Sequence, residues 1–214
     1  MLIEIHIDLI CPWCFIGKRR LDRALALRPE AAVDIGWAPF QLNPDMPVGG
    51  MDRGRYLATK FGGVERASQV YQMIEQAALR DGLEVRFDRI RRTPRTVDAH
   101  RLVRLADRHG LSARMVEALF SAYFHHGLDI GDRDVLADLA ARNGLDRAST
   151  ARFLASDAEV ASVRDSDLKA RQLGIQAVPY FIFNHRFGVA GAQEVETFLP
   201  FLDLAGGDAA IGAV

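Results

Sequence analysis

The stretch "HIDLICPWCFIGKRRL", residues 6–21, holds both cysteines of the chain, Cys11 and Cys14. Residues 2–9, which lead into it, alternate apolar with charged or polar side chains, a pattern typical of a β-strand. After the first cysteine, apolar residues recur at helical spacing, and Pro12 occupies the first helical position, where its missing N–H costs nothing. The stretch therefore predicts a strand that leads directly into a helix, with the two cysteines at the start of that helix.

A cysteine at a helix N-terminus is suited to redox chemistry, because the free N–H groups and the helix macrodipole stabilise a thiolate. We expect Cys11 to attack a disulfide or accept a mixed disulfide, and Cys14, one turn further along and buried, to resolve it. Half of a zinc site and an incidental buried pair are the other interpretations. A zinc site needs four ligands, but the chain has no second pair of cysteines, and its histidines lack zinc-finger spacing. The redox pair is favoured.

The composition is typical of a soluble globular protein, with 49% hydrophobic and 26% charged residues and a net charge of -1. Such a charge argues against a nucleic-acid-binding surface or a polybasic membrane patch. The apolar runs are shorter than the about 20 residues that a membrane-spanning helix needs. Residues 1–10 show neither the basic segment nor the cleavage site of a signal peptide. We therefore expect a cytoplasmic protein, in which free thiols are the default state of cysteine.

The order of the predicted elements favours an α/β domain that carries a helical insertion. Residues 1–45 are predicted to form strand, helix and strand, and residues 173–206 a β-hairpin followed by a helix. The hydrophobic period of the intervening residues, 46–172, is helical almost throughout. We expect the strands on both sides of this insertion to pair in one sheet, so that 1–45 and 173–206 form a discontinuous domain. Residues 207–214 are expected to be a mobile tail.

Three features around the cysteines bear on their chemistry. Asp8 lies on the strand before Cys11, and a buried carboxylate there would accept the Cys14 proton as a general base. The alternative is that Asp8 caps the helix or lies exposed at the end of the strand. Trp13 is expected to be exposed and to pack on the substrate. The basic run Lys18–Arg20 is expected to form a solvated helix face.

A second motif, "GIQAVPYFIFN" at residues 174–184, has a proline at the start of a predicted strand, where proline is tolerated. Together with "CPWCFIGKRRL" at 11–21, this motif resembles the thioredoxin superfamily, in which a cis-proline faces the dithiol. The resemblance implies that Val178–Pro179 is a cis bond and that Val178 offers its backbone to an extended substrate. A trans proline with a purely structural role is the alternative.

The large helical insertion makes the chain most similar to the DsbA-like branch of that superfamily, and within it to the FrnE-type members. Other shared stretches are "DAHRL" (98–102), "LDIGDRDVLADLA" (128–140) and "GAQ" (191–193). The resemblance implies a thioredoxin-like fold with an all-helical insertion and a thiol–disulfide oxidoreductase without a bound cofactor or metal. The roles of Asp98, His100 and Asp132 stay open between helix caps, core contacts and substrate contacts.

The implied partner is a thiol or disulfide substrate, either a protein or a small molecule, with glutathione as a candidate co-substrate. No nucleic-acid or membrane partner is expected, and a homodimer through the helical block is compatible with the sequence.

Two other functions compete with disulfide exchange. The same branch contains the glutathione-dependent 2-hydroxychromene-2-carboxylate isomerases and kappa-class glutathione transferases, which typically have serine or threonine in the place of Cys11 and lack Cys14. The presence of both cysteines therefore favours thiol–disulfide exchange. A chaperone-like module that binds clients in the groove without turnover is the other alternative.

Overall fold

The computed structural model describes residues 1–211, apart from the side chains of Val64 and 205–211. The strands in this part of the chain are β1 (Leu2–Ile7), β2 (Asp34–Pro39), β3 (Met51–Asp52), β4 (Arg92–Thr93), β5 (Tyr180–Phe183) and β6 (Phe187–Ala190). The helices are α1 (Pro12–Ala26), α2 (Arg53–Phe61), α3 (Val64–Arg80), α4 (Val97–Asp107), α5 (Ser112–Phe124), α6 (Arg133–Arg142), α7 (Arg147–Ala155), α8 (Val160–Gln172) and α9 (Val195–Ile211).

Strands from both ends of the chain form one mixed sheet. Among the described residues it has four strands in the order β2-β1-β5-β6, with β1 parallel to β2 and antiparallel to β5. The isoleucines of β1 at 3, 5 and 7 are buried, so the alternation seen in the sequence corresponds to one core-facing side of the strand. The predicted α/β fold, with strands on either side of the helical segment paired in one sheet, is confirmed.

The predicted hairpin at the end of the sheet is also present, because β5 and β6 pair antiparallel. Asn184 and His185, the first two of the three residues between these strands, have positive φ angles of 49° and 56°. Two such residues form the left-handed turn whose twist matches that of the flanking strands.

The helices from α2 to α8 lie between β2 and β5 in the chain, as the helical period of 46–172 predicts. Helices α4 and α8 pack against β2, and α1 packs against α3 and α9. The short ladder between β3 and β4 was not predicted, because strands of this length leave no period in the sequence. The domain boundaries stay a prediction. Of the predicted tail, residues 207–211 continue α9, and 212–214 lie outside the described residues.

The expectation of a solvated basic face on α1 is wrong. Lys18 and Arg20 are only 7% and 6% exposed. Arg20 Nε donates to Asp81 at 2.7 Å, and Lys18 Nζ lies 2.8 Å from a Glu117 carboxylate oxygen. These residues join α1 to the end of α3 and to α5, because buried charges need partners. In the described part of the chain, no helix has both the length and the apolar character needed to cross a membrane.

Candidate active site

The two cysteines occupy the point where β1 turns into α1. Cys11 is the N-cap of α1 and has an extended backbone with φ -90° and ψ 112°. Its N–H donates to the carbonyl of Asp8 at 3.0 Å, and its own carbonyl accepts from the N–H of Cys14 at 3.1 Å. Both thiols are free, and Cys11 and Cys14 are 4% and 0% exposed. The chain therefore places a dithiol at the positive end of a helix, as the sequence predicts.

The environment of Cys14 disfavours its ionised form. Burial raises the pKa of the Cys14 thiol well above its ordinary value of 9.0, and the hydrogen bond with the Cys11 thiol adds to the rise. A hydrogen bond with the backbone of Asp8 acts in the opposite direction but is a smaller effect. Cys14 therefore keeps its proton at neutral pH and can act as a nucleophile only when a base removes that proton.

The segment before β5 closes the site from the other side. The Val178–Pro179 peptide bond is cis, and the Cys11 thiol donates to the carbonyl of Val178 at 3.6 Å. Gly17 makes this approach possible, since a Cβ at that position would lie 2.8 Å from Pro179 Cγ and 3.3 Å from Phe181 Cζ. The sequence analysis did not identify Gly17, because nothing in the local pattern shows which segment crosses that face of α1.

Asp8 is fully buried, so it is not exposed at the strand end, and no side chain caps α1. One carboxylate oxygen, Oδ2, accepts a hydrogen bond from the N–H of Leu42 at 2.7 Å. The other oxygen, Oδ1, lies 3.7 Å from Nε2 of His100 in the first turn of α4. After burial and the effects of Cys11, the charge of Asp8 also raises the pKa of the Cys14 thiol, so this buried carboxylate lies within electrostatic reach of the dithiol.

A cavity of about 380 Å³ lies next to this carboxylate. Its lining includes Leu42, Met46, Met51, Tyr56 and Lys60. Burial raises the pKa of Tyr56, and the charges of Asp8 and Cys11 raise it further, so the tyrosine lies within electrostatic reach of the dithiol. Trp13 is 38% exposed. The exposed indole and this cavity, which is linked to Asp8 through Leu42, are two places at which a bound molecule can make contact.

Of the three motif residues whose roles were left open, Asp98 and Asp132 make structural contacts and His100 faces the site. Asp98 binds the guanidinium of fully buried Arg101 at 2.6 Å and that of Arg133 at 2.8 Å. Asp132 accepts hydrogen bonds from two N–H groups at the start of α6, so among the roles left open for it the structure shows the helix cap. His100, by contrast, faces Asp8. Sequence reasoning could not assign its role, because no local pattern connects β1 with α4.

Residues that could bind a metal are not grouped in the described part of the chain, which contains no cluster of three or more His, Cys, Asp or Glu side chains suitable for a metal ion.

Comparisons with known proteins agree with this geometry. A family model described as "DSBA-like thioredoxin domain" matches residues 2–203. A probable DsbA oxidoreductase from Streptomyces coelicolor is similar in structure, with a TM-score of 0.86 and 31% identity over 97% of this chain and 90% of that chain.

Two more distant structures share the fold. The cytosolic disulfide reductase DsbM from Pseudomonas aeruginosa, solved with glutathione, has a TM-score of 0.64 and 21% identity, covering 99% of this chain and 98% of that chain. A 2-hydroxychromene-2-carboxylate isomerase has a TM-score of 0.69 and 14% identity, covering 98% of this chain and 96% of that chain.

Proposed function

Because the chain belongs to the family of DSBA-like thioredoxin domains, we propose that it is a thiol–disulfide oxidoreductase that uses Cys11 as nucleophile and Cys14 as resolving thiol. The observation that carries the proposal is the dithiol itself. Both thiols are free and buried at the start of α1, and the Cys11 thiol lies 3.6 Å from the carbonyl of Val178. We expect a substrate chain to reach the first sulfur from the side of the Val178 carbonyl.

In the proposed reaction, the thiolate of Cys11 attacks one sulfur of a substrate disulfide. The substrate S–S bond breaks, and one substrate sulfur leaves as a thiolate with the electron pair. Cys14 then loses its proton and attacks Cys11 in the mixed disulfide, so that a Cys11–Cys14 bond forms and the second substrate sulfur leaves as a thiolate. The substrate gains two electrons and the dithiol loses two. The same steps in reverse oxidise a substrate dithiol.

The proton of Cys14 needs an acceptor, and Asp8 is the residue we assign to that role. It is a fully buried carboxylate, and its charge acts on the Cys14 thiol. A general base with these properties speeds proton transfer by about 100- to 10,000-fold. The other active-site supports that we assign are Pro12, which starts α1, and the exposed Trp13. Val178 and Pro179 are assigned to the substrate groove, where the Val178 carbonyl lies 3.6 Å from the Cys11 thiol.

The substrate is a thiol or disulfide, either protein or small molecule. An extended polypeptide would contact the backbone of Val178 and the exposed ring of Trp13. A small thiol such as glutathione would fit the cavity of about 380 Å³ next to Asp8. We place the exchange in the cytosol, where the thiol pool keeps such a dithiol reduced. Thiol trapping in intact cells measures whether Cys11 and Cys14 are kept in the reduced state.

The deciding experiment is a redox titration in buffers of reduced and oxidised glutathione, read from tryptophan fluorescence and from the mass shift after thiol trapping. We expect a reversible two-electron transition in the wild-type protein. Cys14→Ser should lose that transition and accumulate a mixed disulfide at Cys11, whereas Cys11→Ser should form neither species. If no intramolecular disulfide forms in any accessible buffer, the oxidoreductase proposal is wrong.

A glutathione-dependent isomerase or transferase is the second candidate, favoured by the fold shared with 2-hydroxychromene-2-carboxylate isomerase. That chemistry needs a single side chain to hold a glutathione thiolate, so Cys14 would be dispensable. Conjugation or isomerisation that survives in Cys14→Ser would support this candidate. Binding of an unfolded client that is unchanged in Cys11→Ser, without any exchange, would instead support a chaperone-like module.

A further inference from the structure

A second buried titratable side chain faces Asp8 from the helical insertion. Nε2 of His100 lies 3.7 Å from Oδ1 of Asp8, and the two side chains are 2% and 1% exposed. Neither of these two atoms has a hydrogen-bond partner among the described residues. A buried polar atom without a partner destabilises the fold, because it has lost its hydrogen bonds with water and gained none in return. The arrangement therefore carries a cost that closer contact between the two side chains would remove.

The position of each side chain is fixed by its own element. Asp8 follows β1 and is held at Oδ2 by the N–H of Leu42. His100 lies in the first turn of α4, where its N–H donates to the carbonyl of Thr96 at 2.9 Å. The next residue, Arg101, anchors α4 by donating to the backbone carbonyls of residues 153, 154, 156 and 158. Both side chains are therefore held facing each other by rigid surroundings.

The separation of 3.7 Å is longer than a hydrogen bond, which spans about 2.7–3.2 Å for N–H···O. Hydrogen bonds that support catalysis are often long in the resting enzyme and tighten as the reaction proceeds. No other hydrogen-bond partner among the described residues occupies either atom, so nothing competes with a hydrogen bond between them.

We propose that His100 is the positioning residue of the proton acceptor: its Nε2–H donates to Oδ1 of Asp8 and so keeps Asp8 a carboxylate that can accept the Cys14 proton. This proposal rests on the proposed function, and it adds a residue from the helical insertion to the dithiol site. When Cys14 attacks the mixed disulfide, its proton moves to Asp8, and the imidazole holds the carboxyl group in place throughout.

Several titratable groups surround this pair. On α1, the Cys14 thiol lies within reach of the charge of Asp8, and Tyr56 on α2 lies within reach of the charges of Asp8 and Cys11. Asp167 on α8 binds the N–H of Gln41, the residue before Leu42, and is paired with Arg171. The test must therefore separate the contribution of His100 from a general change in the electrostatics of the site.

The experiment measures the rate at which Cys14 resolves a mixed disulfide that has been formed beforehand between Cys11 and a small thiol, as a function of pH. Because hydrogen bonding to a carboxylate favours its ionised form, His100→Ala should move the acid limb of this profile upwards by about one pH unit. On the acid side, that shift is about a tenfold loss of rate. His100→Gln places an amide N–H near the position of Nε2 and should recover most of the rate.

His6→Gln is the matched control, because His6 is also buried, at 3% exposure, and lies on the strand that leads to Asp8. Its Nε2 pairs with Glu4 at 2.8 Å instead of with the site. We expect its profile to coincide with that of the wild type. Combining His100→Ala with Asp8→Asn should give no larger loss than Asp8→Asn alone, since both changes remove the same function.

An acid limb that stays in place in His100→Ala, while the wild type forms its Cys11–Cys14 disulfide, overturns this inference and leaves the proposed function intact. Absence of that disulfide in the wild type overturns the proposed function instead. If His100→Ala does not fold, the nitrogen NMR signals of His100 in the wild-type protein decide the matter. We expect Nε2 to carry the proton and its signal to move in Asp8→Asn, whereas an unprotonated Nε2 contradicts the proposal.

Discussion

At the scale of single residues, the properties of Cys14 follow from its surroundings. The side chain is fully buried, and burial raises the pKa of its thiol well above the ordinary value of 9.0. In the unfolded chain the same thiol is exposed to water and ionises near its ordinary pKa. Because the pKa of Cys14 differs between the folded and the unfolded state, the stability of the fold depends on pH.

The pH dependence of stability should show this difference in the reduced protein. Above about pH 9 the unfolded chain loses the Cys14 proton while the folded protein keeps it, so the unfolded state binds fewer protons and the free energy of unfolding falls with rising pH. The stability is fully present below the unfolded pKa and is lost as the pH rises towards the folded pKa. The slope from this one group is at most about 1.4 kcal/mol per pH unit.

Urea unfolding of the reduced protein between pH 7 and pH 10 checks this expectation, with Cys14→Ser as the control. Every other titratable side chain is present in both proteins, so the difference between the two curves reports Cys14. We expect the difference in the free energy of unfolding to change with pH only on the alkaline side. Parallel curves over the whole range would show that the thiol ionises equally easily in both states.

The sequence predicts the chemistry of the candidate site only where the reacting residues are close together in the chain. Cys11 and Cys14 stand together on a strand–helix junction, and their place at the start of α1 follows from Pro12 and the change of hydrophobic period. The approach of His100 to Asp8 could not be predicted, because it depends on how α4 packs against the sheet. Local periodicity gives the buried face of an element but not the partner that covers it.

At the scale of elements, the sequence of α1 predicts where the helix starts and which face is apolar, but not the environment of its charged residues. Its start at Pro12 and its apolar stripe follow from the sequence, and the helix ends at Ala26. The basic run on it was expected to be solvated, yet Lys18 and Arg20 are buried because acidic residues from α5 and from the end of α3 meet them. The sequence of a helix does not show which charges its neighbours will supply.

Gly17 is the residue at which α1 meets the segment of Pro179, and Gly17→Ala should be harmful there. Alanine would add about 1 kcal/mol of helix stability. The new methyl group would lie 2.8 Å from Pro179 Cγ, and overpacking of this kind costs about 1–3 kcal/mol. We expect a net loss of stability and a slower reaction of Cys11 with a small disulfide, because the Val178 carbonyl moves away from the thiol.

Gly36→Ala provides the matched control. In β2 the nearest atom to an added Cβ is Leu2 Cδ1 at 3.9 Å, an ordinary van der Waals distance. Its stability and reaction rate should both stay close to those of the wild type. If Gly17→Ala is as stable and as reactive as Gly36→Ala, then α1 and the 178–181 segment are not in the close contact described.

At the scale of the whole molecule, the site needs parts that are far apart in the chain. The dithiol lies at the start of α1, Val178 precedes β5, and His100 belongs to a helix of the insertion. The insertion is also tied to the chain after β2, since Asp167 on α8 accepts from the N–H of Gln41 at 2.8 Å. One continuous core cluster extends across both parts. We therefore infer that the sheet and the insertion unfold as one unit.

Two spectroscopic signals can test this cooperativity in urea. Both tryptophans, Trp13 and Trp37, lie on the sheet side, at α1 and β2, while the far-ultraviolet circular dichroism comes mostly from the helices of the insertion. A single cooperative unit requires the two transitions to coincide. Asp167→Ala should lower both midpoints together, because it leaves the N–H of Gln41 and the guanidinium of Arg171 without their partner. Asp165→Ala, at an exposed position on the same helix, should change neither midpoint.

A helical signal that disappears at a lower urea concentration than the tryptophan signal would mean that the insertion folds independently. In that case His100 can separate from Asp8 without unfolding the dithiol site.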